Sequence, residues 1–366
     1  MIRSEGLLLF QRKTAKYKSL IFCILMVILI SFILSGVFFL RAIAHDGRVE
    51  LSPEPPIEVR IGLQIEDMVE VDKQEESFTL VGALRMEWSD PRLAFDQEEC
   101  QCEVKVFTED DFLQFQTEFE NRWPDFTFYN QHGDQYVQNR VVVLEPDGSA
   151  MYFERFTARF HGDFDFHRYP FDSQEFVIHI DMLYPDYVFY LSELPSFSSI
   201  AEGVGEEEFT LSNLTTHLSS INSSLGVESS RYSVSFKGPR HLEYYIFRIF
   251  LPVLGILAIA YAVFFLSDYH KRVELTLVNV MFLITFSFSL ADNYPRLGYP
   301  TFLDAIMTLT LIINVTIVLI SVYMKLLENQ NKAEQAGLLD KKLKKLYPLL
   351  LVLSLLLIVI VFFLVY

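Results

Sequence analysis

The chain has 366 residues with 51% hydrophobic content, a mean hydropathy of +0.26 and a net charge of −17. That apolar fraction is too high for an ordinary soluble domain, and the negative balance is the wrong sign for a nucleic-acid binder. A protein embedded in a lipid bilayer is the class left.

Residues 1–44 read as a basic tail followed by an apolar run, Ser19–Leu40, long enough to cross a bilayer. Arg3, Arg12, Lys13, Lys16 and Lys18 against Glu5 put the tail on the cytoplasmic side. Ala42-Ile43-Ala44 after the run has the small residues of a secretory cleavage site, so the segment is either a retained anchor or a signal. Both deliver the next stretch to the extracellular or periplasmic side.

Residues 45–242 alternate in short apolar–polar runs broken by turn residues, the pattern of strands. The clearest are IEVRIGLQI, SFTLVGALRMEW, RVVVLE, AMYFERFTARF, EFVIHIDML and RYSVSFKG, and Glu145-Pro146-Asp147-Gly148 supplies a hairpin turn. Glu109–Glu120 reads as a short helix or a polar strand. The expected architecture is an outer β-sandwich. Residues 41–242 carry 15 Lys and Arg against 38 Asp and Glu, a balance of −23 that makes either a plain soluble surface or a cation-concentrating vestibule. Cys100 and Cys102 are too close to bridge without strain in one extended strand and are expected as reduced loop thiols; no metal site is expected. His132, His161, His167 and His179 are scattered with no nucleophile at catalytic spacing, so neither enzyme chemistry nor a cofactor is expected.

Residues 243–366 hold four apolar spans, 244–266, 273–291, 302–324 and 347–366, with a cytoplasmic linker at 325–346. Lys271 and Arg272, and Lys325, Lys332, Lys341, Lys342, Lys344 and Lys345, fall on the cytoplasmic side in the same topology. The second span, within KRVELTLVNVMFLITFSFSLADNYP, is the telling one. Alternating steps of four and three from Glu274 put Val278, Met281, Thr285, Phe288 and Asp292 on one face. A carboxylate facing hydrocarbon costs several kcal/mol, so Glu274 and the polar Thr276, Asn279, Thr285, Ser287 and Ser289 need protein or water beside them. The helix reads as the wall of an aqueous pore, which a single copy cannot enclose.

Trp88-Ser89-Asp90-Pro91-Arg92-Leu93, then Trp123-Pro124-Asp125 with Tyr129-Asn130, then Tyr169-Pro170-Phe171-Asp172-Ser173-Gln174, occur in that order ahead of Arg240, Leu251-Pro252 and the Asn293–Tyr299 link. With the four spans, this order resembles the pentameric ligand-gated ion channels, the Cys-loop receptor superfamily and its bacterial relatives, from about Ile57 to Tyr366. Eight residues before Pro170 and six after it, where animal members carry the cysteines of the name-giving loop, stand Gly162 and Phe176, which points to a bacterial type. The Trp123-Pro124 pair also lacks the residue usual between them.

The resemblance implies a homo-pentamer in a lipid bilayer, passing monovalent cations and opened by a small agonist at subunit interfaces. It assigns Tyr129, Asp181, Tyr184 and Tyr232 to the agonist loops, with Leu183 where many members have a cage aromatic. Rings and Asp181 suit an amine; protons are an alternative agonist, and divalent ions at Glu109-Asp110-Asp111 or Glu206-Glu207-Glu208 are alternative modulators. Coupling to the pore falls to Arg240, Asp172 and one of Asp72, Glu75 or Glu76, with Tyr169, Pro170 and Phe171 pressing on the link that contains Pro295. Five copies would stack Glu274 at the inner mouth and Asp292 at the outer, with Met281 or Phe288 as the hydrophobic gate. The alternative is a membrane-anchored solute receptor without a conducting pore.

Overall fold

The computed structural model describes residues 55–119, 122–204, 208–222, 226–290 and 297–365. The N-terminal apolar run, Asp292 and Pro295 lie outside these residues.

Among the described residues eleven strands build the outer domain: β1 Ile57–Asp72, β2 Ser77–Ser89, β3 Lys105–Thr108, β4 Phe126–Phe128, β5 Tyr136–Leu144, β6 Ser149–His161, β7 Ser173–Met182, β8 Phe189–Glu193, β9 Ser199–Ile200, β10 Ser212–Asn222 and β11 Glu228–Pro239. One sheet runs β3-β5-β6-β2-β1-β8 with β9 also on β1; the other runs β10-β11-β7-β4. Alternation sends one side chain in two into the space between the sheets. On β6 Tyr152, Glu154, Phe156, Ala158 and Phe160 are buried while their neighbours are half-exposed. The core is aromatic: Phe78, Phe160, Phe176 and Phe236 meet there, with Phe78 and Phe176 centroids 5.1 Å apart. The β5–β6 hairpin turns through Gly148 at φ +90°, and a Cβ there would sit 2.4 Å from the Asp90 carbonyl oxygen. A Cβ on Gly162 would fall 2.6 Å from the Phe164 ring, which itself packs 5.5 Å from Phe176.

Glu109–Glu120 is helical where described: a single 3-10 turn, Glu109–Asp111, leads into α1, Phe112–Glu118. Two expectations change here. Cys100 and Cys102 form a disulfide rather than two thiols, because the backbone is not extended: Gln101 adopts a left-handed conformation (φ 54°, ψ 38°) and draws the Cα atoms to 5.2 Å. The segment SSINSSLGVESSR, where the resemblance implies a loop capping the agonist site, is mostly strand, since β10 continues to Asn222 and β11 starts at Glu228. Its Ser- and Thr-rich alternation buries no apolar face, which hides the strand from a hydrophobicity reading.

Among the described residues four helices follow that are long and apolar enough to cross a membrane: α2 Glu243–Phe265, α3 Tyr269–Leu290, α4 Phe302–Asn329 and α5 Ala333–Val365. A π-turn at Ile246–Phe250 precedes Pro252, whose missing N–H leaves a backbone carbonyl one turn back without its usual partner. Thr301 and Asp304 close a capping box at the start of α4. Val253, Leu257, Phe302, Ile306 and Phe362 form one apolar cluster of the bundle. The stretch 325–346 is not a free linker: α4 and α5 extend through it and leave only Gln330–Lys332 between them.

Candidate functional site

At the foot of the sandwich Arg240 follows directly on β11, with a fully buried side chain. Its Nε donates to Asp172 Oδ1 at 2.8 Å and its Nη2 to Asp172 Oδ2 at 2.9 Å. Nη1 donates to Glu208 Oε2 at 2.9 Å and meets the Tyr245 hydroxyl at 3.3 Å. Burial alone would lower the arginine pKa, but the hydrogen bonds and charge of Asp172, helped by Tyr245 and Glu208, raise it above its usual value. The guanidinium also lies 4.4 Å from the Phe209 ring and 4.9 Å from that of Tyr169.

The second acid is therefore Glu208, not Asp72, Glu75 or Glu76. Asp72 accepts from the backbone of Gln74 and Glu75, and both Asp72 and Glu75 pair with Arg159 at 3.3 and 2.9 Å. A carboxylate spent on closing its own turn is not available to Arg240. The β1–β2 hairpin joins the cluster through a base instead, Lys73 Nζ reaching Glu208 Oε1 at 2.6 Å.

The loop before β7 docks on the helix ends. Tyr169-Pro170 is a cis peptide with both residues buried, and Tyr169 donates to the Tyr245 hydroxyl at 3.2 Å. Phe171 packs on Phe250, Phe302 and Phe363 with centroids 5.5, 5.6 and 6.1 Å away, touching α2, α4 and α5 together. His167 stacks on Tyr299 at 4.1 Å, and the Tyr299 hydroxyl accepts from the Phe166 amide at 3.1 Å.

On the outward face of the four-stranded sheet, Asp181 and Arg231 stand directly opposite in the β7–β11 ladder. Arg231 donates to both Asp181 oxygens at 2.5 and 2.7 Å, and its guanidinium lies 4.2 Å from the Tyr129 ring. The Asp181 hydrogen bond raises the arginine pKa further. Tyr129 is 65% exposed. Tyr232 is not part of this group: one residue from Arg231, it points the opposite way, is fully buried, and shares a 2.8 Å hydrogen bond with Ser198. Tyr184 is half-buried and packs on Phe189 at 5.3 Å.

On α3, Arg272, Thr276, Asn279 and Leu283 are the buried stripe. Asn279 Nδ2 donates to the Ile256 carbonyl at 2.9 Å and to Asn314 Oδ1 at 2.7 Å, so one of the polar residues is satisfied inside the bundle. Glu274, Val278, Met281, Thr285 and Phe288 all lie on the uncovered side of the single chain, Met281 at 69% and Phe288 at 74% exposure. At the other end of the bundle Arg272 reaches Asp340 of α5 at 2.6 Å and the Phe264 carbonyl at 3.1 Å.

A β-sandwich joined through a buried arginine cluster to four membrane-length helices defines a class, the pentameric ligand-gated ion channels, multi-pass membrane proteins with an extracellular sandwich. Residues 45–181 match the family described as the neurotransmitter-gated ion-channel ligand binding domain. The chain is 28% identical over 273 residues to the proton-gated ion channel of Gloeobacter violaceus, covering 71% of this chain and 72% of the relative. It is 27% identical over 270 residues to a gamma-aminobutyric acid receptor subunit beta-like protein of Drosophila melanogaster, and 24% over 266 residues to a gamma-aminobutyric acid receptor subunit beta of Lymnaea stagnalis. Those two alignments cover 68% of this chain and 52% of each subunit.

Sequence reasoning missed Arg231 and Glu208. Arg231 carries a legible signal only once the β7–β11 register is known. Glu208 was noted as part of an acid run, with nothing to tie it to Arg240.

Proposed function

We propose that five copies of this chain assemble with their α3 helices around a common axis and conduct monovalent cations. The observation that carries the reading is the uncovered side of α3, where Glu274, Val278, Met281, Thr285 and Phe288 have no partner helix among the described residues. A ring of Glu274 at the inner mouth favours cations, and rings of Met281 and Phe288 close the path by dewetting. Asp292 belongs to the outer ring in this reading.

Opening starts at the sandwich edge around Tyr129, Asp181 and Arg231 and reaches the helices through Arg240, Asp172 and Glu208, with Pro170 and Phe171 bearing on α2, α4, α5 and the link that contains Pro295. Breaking a buried ion pair costs several kcal/mol, so this cluster moves sandwich and helices as joined bodies. Because Arg231 already fills the acid-and-aromatic box, protons are the agonist we propose rather than a small amine; the Gloeobacter relative is named a proton-gated channel. Currents from the protein in planar bilayers, stepped from neutral to acidic pH under a salt gradient, test it. A cation-directed reversal potential and acid activation are expected; no conductance at any pH favours the anchored receptor instead.

A further inference from the structure

Between α1, the segment entering β4, and strands β5 and β6 lies a cavity of about 300 Å3. Its walls are rings: Trp123 and Tyr152 are 4.7 Å apart, Phe112 and Trp123 5.3 Å, Phe126 and Tyr152 6.1 Å. Two acids line it: half-buried Asp125, whose Oδ1 accepts from the Phe126 amide at 3.1 Å, and one from within the sandwich. The latter, Glu154, is 1% exposed and accepts from Arg140 Nε at 3.1 Å, from the Tyr152 hydroxyl and from the Gln135 amide. Three donors leave one of the roughly four acceptor positions of a carboxylate open. Arg140 pairs with Glu154, its guanidinium 4.6 Å from the Phe112 ring, so that carboxylate already has its counter-charge and offers a ligand only an acceptor. Gln116, Gln131 and Gln135 add neutral amides to the lining. A concave aromatic space with a few convergent polar groups is the usual form of a small-molecule site.

We propose that this cavity binds small neutral aromatic alcohols and phenols, the ring lying among Phe112, Trp123, Phe126 and Tyr152 and the hydroxyl donating to Glu154. The volume is about twice the ~150 Å3 that holds a benzene molecule, room for a ring, its hydroxyl and a small substituent. The site is separate from the Tyr129 group but shares a strand with its approach: Thr127 of β4 lines the cavity and pairs with Asp181 across the β4–β7 ladder. Binding there does not depend on the channel conducting.

The test uses the full chain in detergent and 4-bromophenol, whose bromine quenches tryptophan emission on contact. The chain has 2 tryptophans, and Trp88 and Trp123 lie 5.7 Å apart beside this cavity, so a phenol bound among the membrane helices is silent. Saturable quenching is expected, abolished by Gln116→Phe, which places a ring in the lining. 4-Bromoanisole, which lacks the donor, should bind at least about tenfold more weakly, the loss of one hydrogen bond to a charged acceptor. Quenching that rises linearly without saturation, a saturable curve unchanged by Gln116→Phe, or equal binding of the anisole overturns the proposal. The two ligands compared on the unaltered protein decide the donor claim even if the variant folds poorly.

Discussion

Arg231 lies over Tyr129 with its guanidinium carbon 4.2 Å from the ring centroid while both Asp181 oxygens hold the same group from the side. An aromatic face plus a carboxylate is what an ammonium ligand would use, and the chain supplies that cation itself. Arg231→Gln should vacate the box and leave Asp181 open. A cation over an aromatic ring gains about 0.5–2 kcal/mol, so the affinity for tetramethylammonium should rise roughly tenfold over the unaltered protein. Calorimetric titration of both proteins checks this. Equal affinities would mean that Arg231 is not standing where a ligand cation would.

The strands that alternate strongly, β1, β2, β6, β7 and β11, and the membrane-length helices were legible because burial imposes a period on the sequence. β10 was not, since its Thr and Ser residues give no apolar stripe. Side-chain partners across strands were legible only in part. Arg240 and Asp172 were tied together through the order of motifs, whereas Glu208 took the place expected for Asp72, because the hairpin carboxylate is used up by its own turn and Arg159. The Cys100–Cys102 bridge depends on the left-handed Gln101, a single backbone torsion that composition does not reveal.

Arg240→Gln should be the most destabilising change at the junction. It leaves Asp172, whose side chain is 3% exposed, without its bidentate partner, a loss of about 3–5 kcal/mol for a broken buried pair. Glu208→Gln should cost much less, about 1 kcal/mol, because Glu208 is 31% exposed and the Gln amide oxygen can still accept from Arg240. Thermal unfolding of the two variants in the same detergent gives the ranking, and similar midpoints would show that the Asp172 pair does not hold the junction.

His179 shares the outward face of β7 with Asp181 and meets Ser233 Oγ at 2.8 Å through Nδ1. Burial, and then the Arg231 charge, lower its pKa below 6.5, with Asp181 pulling the other way. The folded value lies below the unfolded one, so the unfolded chain takes up this proton first as the pH falls. The stabilisation is complete above about pH 6.5 and is lost as the pH drops through 6.5 toward the folded value. His179→Gln should therefore lose less thermal stability than the unaltered protein between about pH 7.5 and pH 5.5. Parallel melting curves at both pH values would rule out His179 as a contributor.

The pore reading separates selectivity from gating along one helix. Glu274 and Met281 lie two turns apart on the uncovered side of α3, so removing charge from one and bulk from the other should affect different measurements. Glu274→Gln removes the inner acidic ring and should bring the reversal potential in a salt gradient toward zero, with the conditions for opening little changed. Met281→Ala removes apolar bulk from a constriction that closes by dewetting and should raise the current at rest without moving the reversal potential. Phe288→Ala is the companion variant: whichever of the two leaks identifies the closed gate. If Glu274→Gln leaves the reversal potential where it was while Met281→Ala and Phe288→Ala both stay tight, α3 does not line the conducting path.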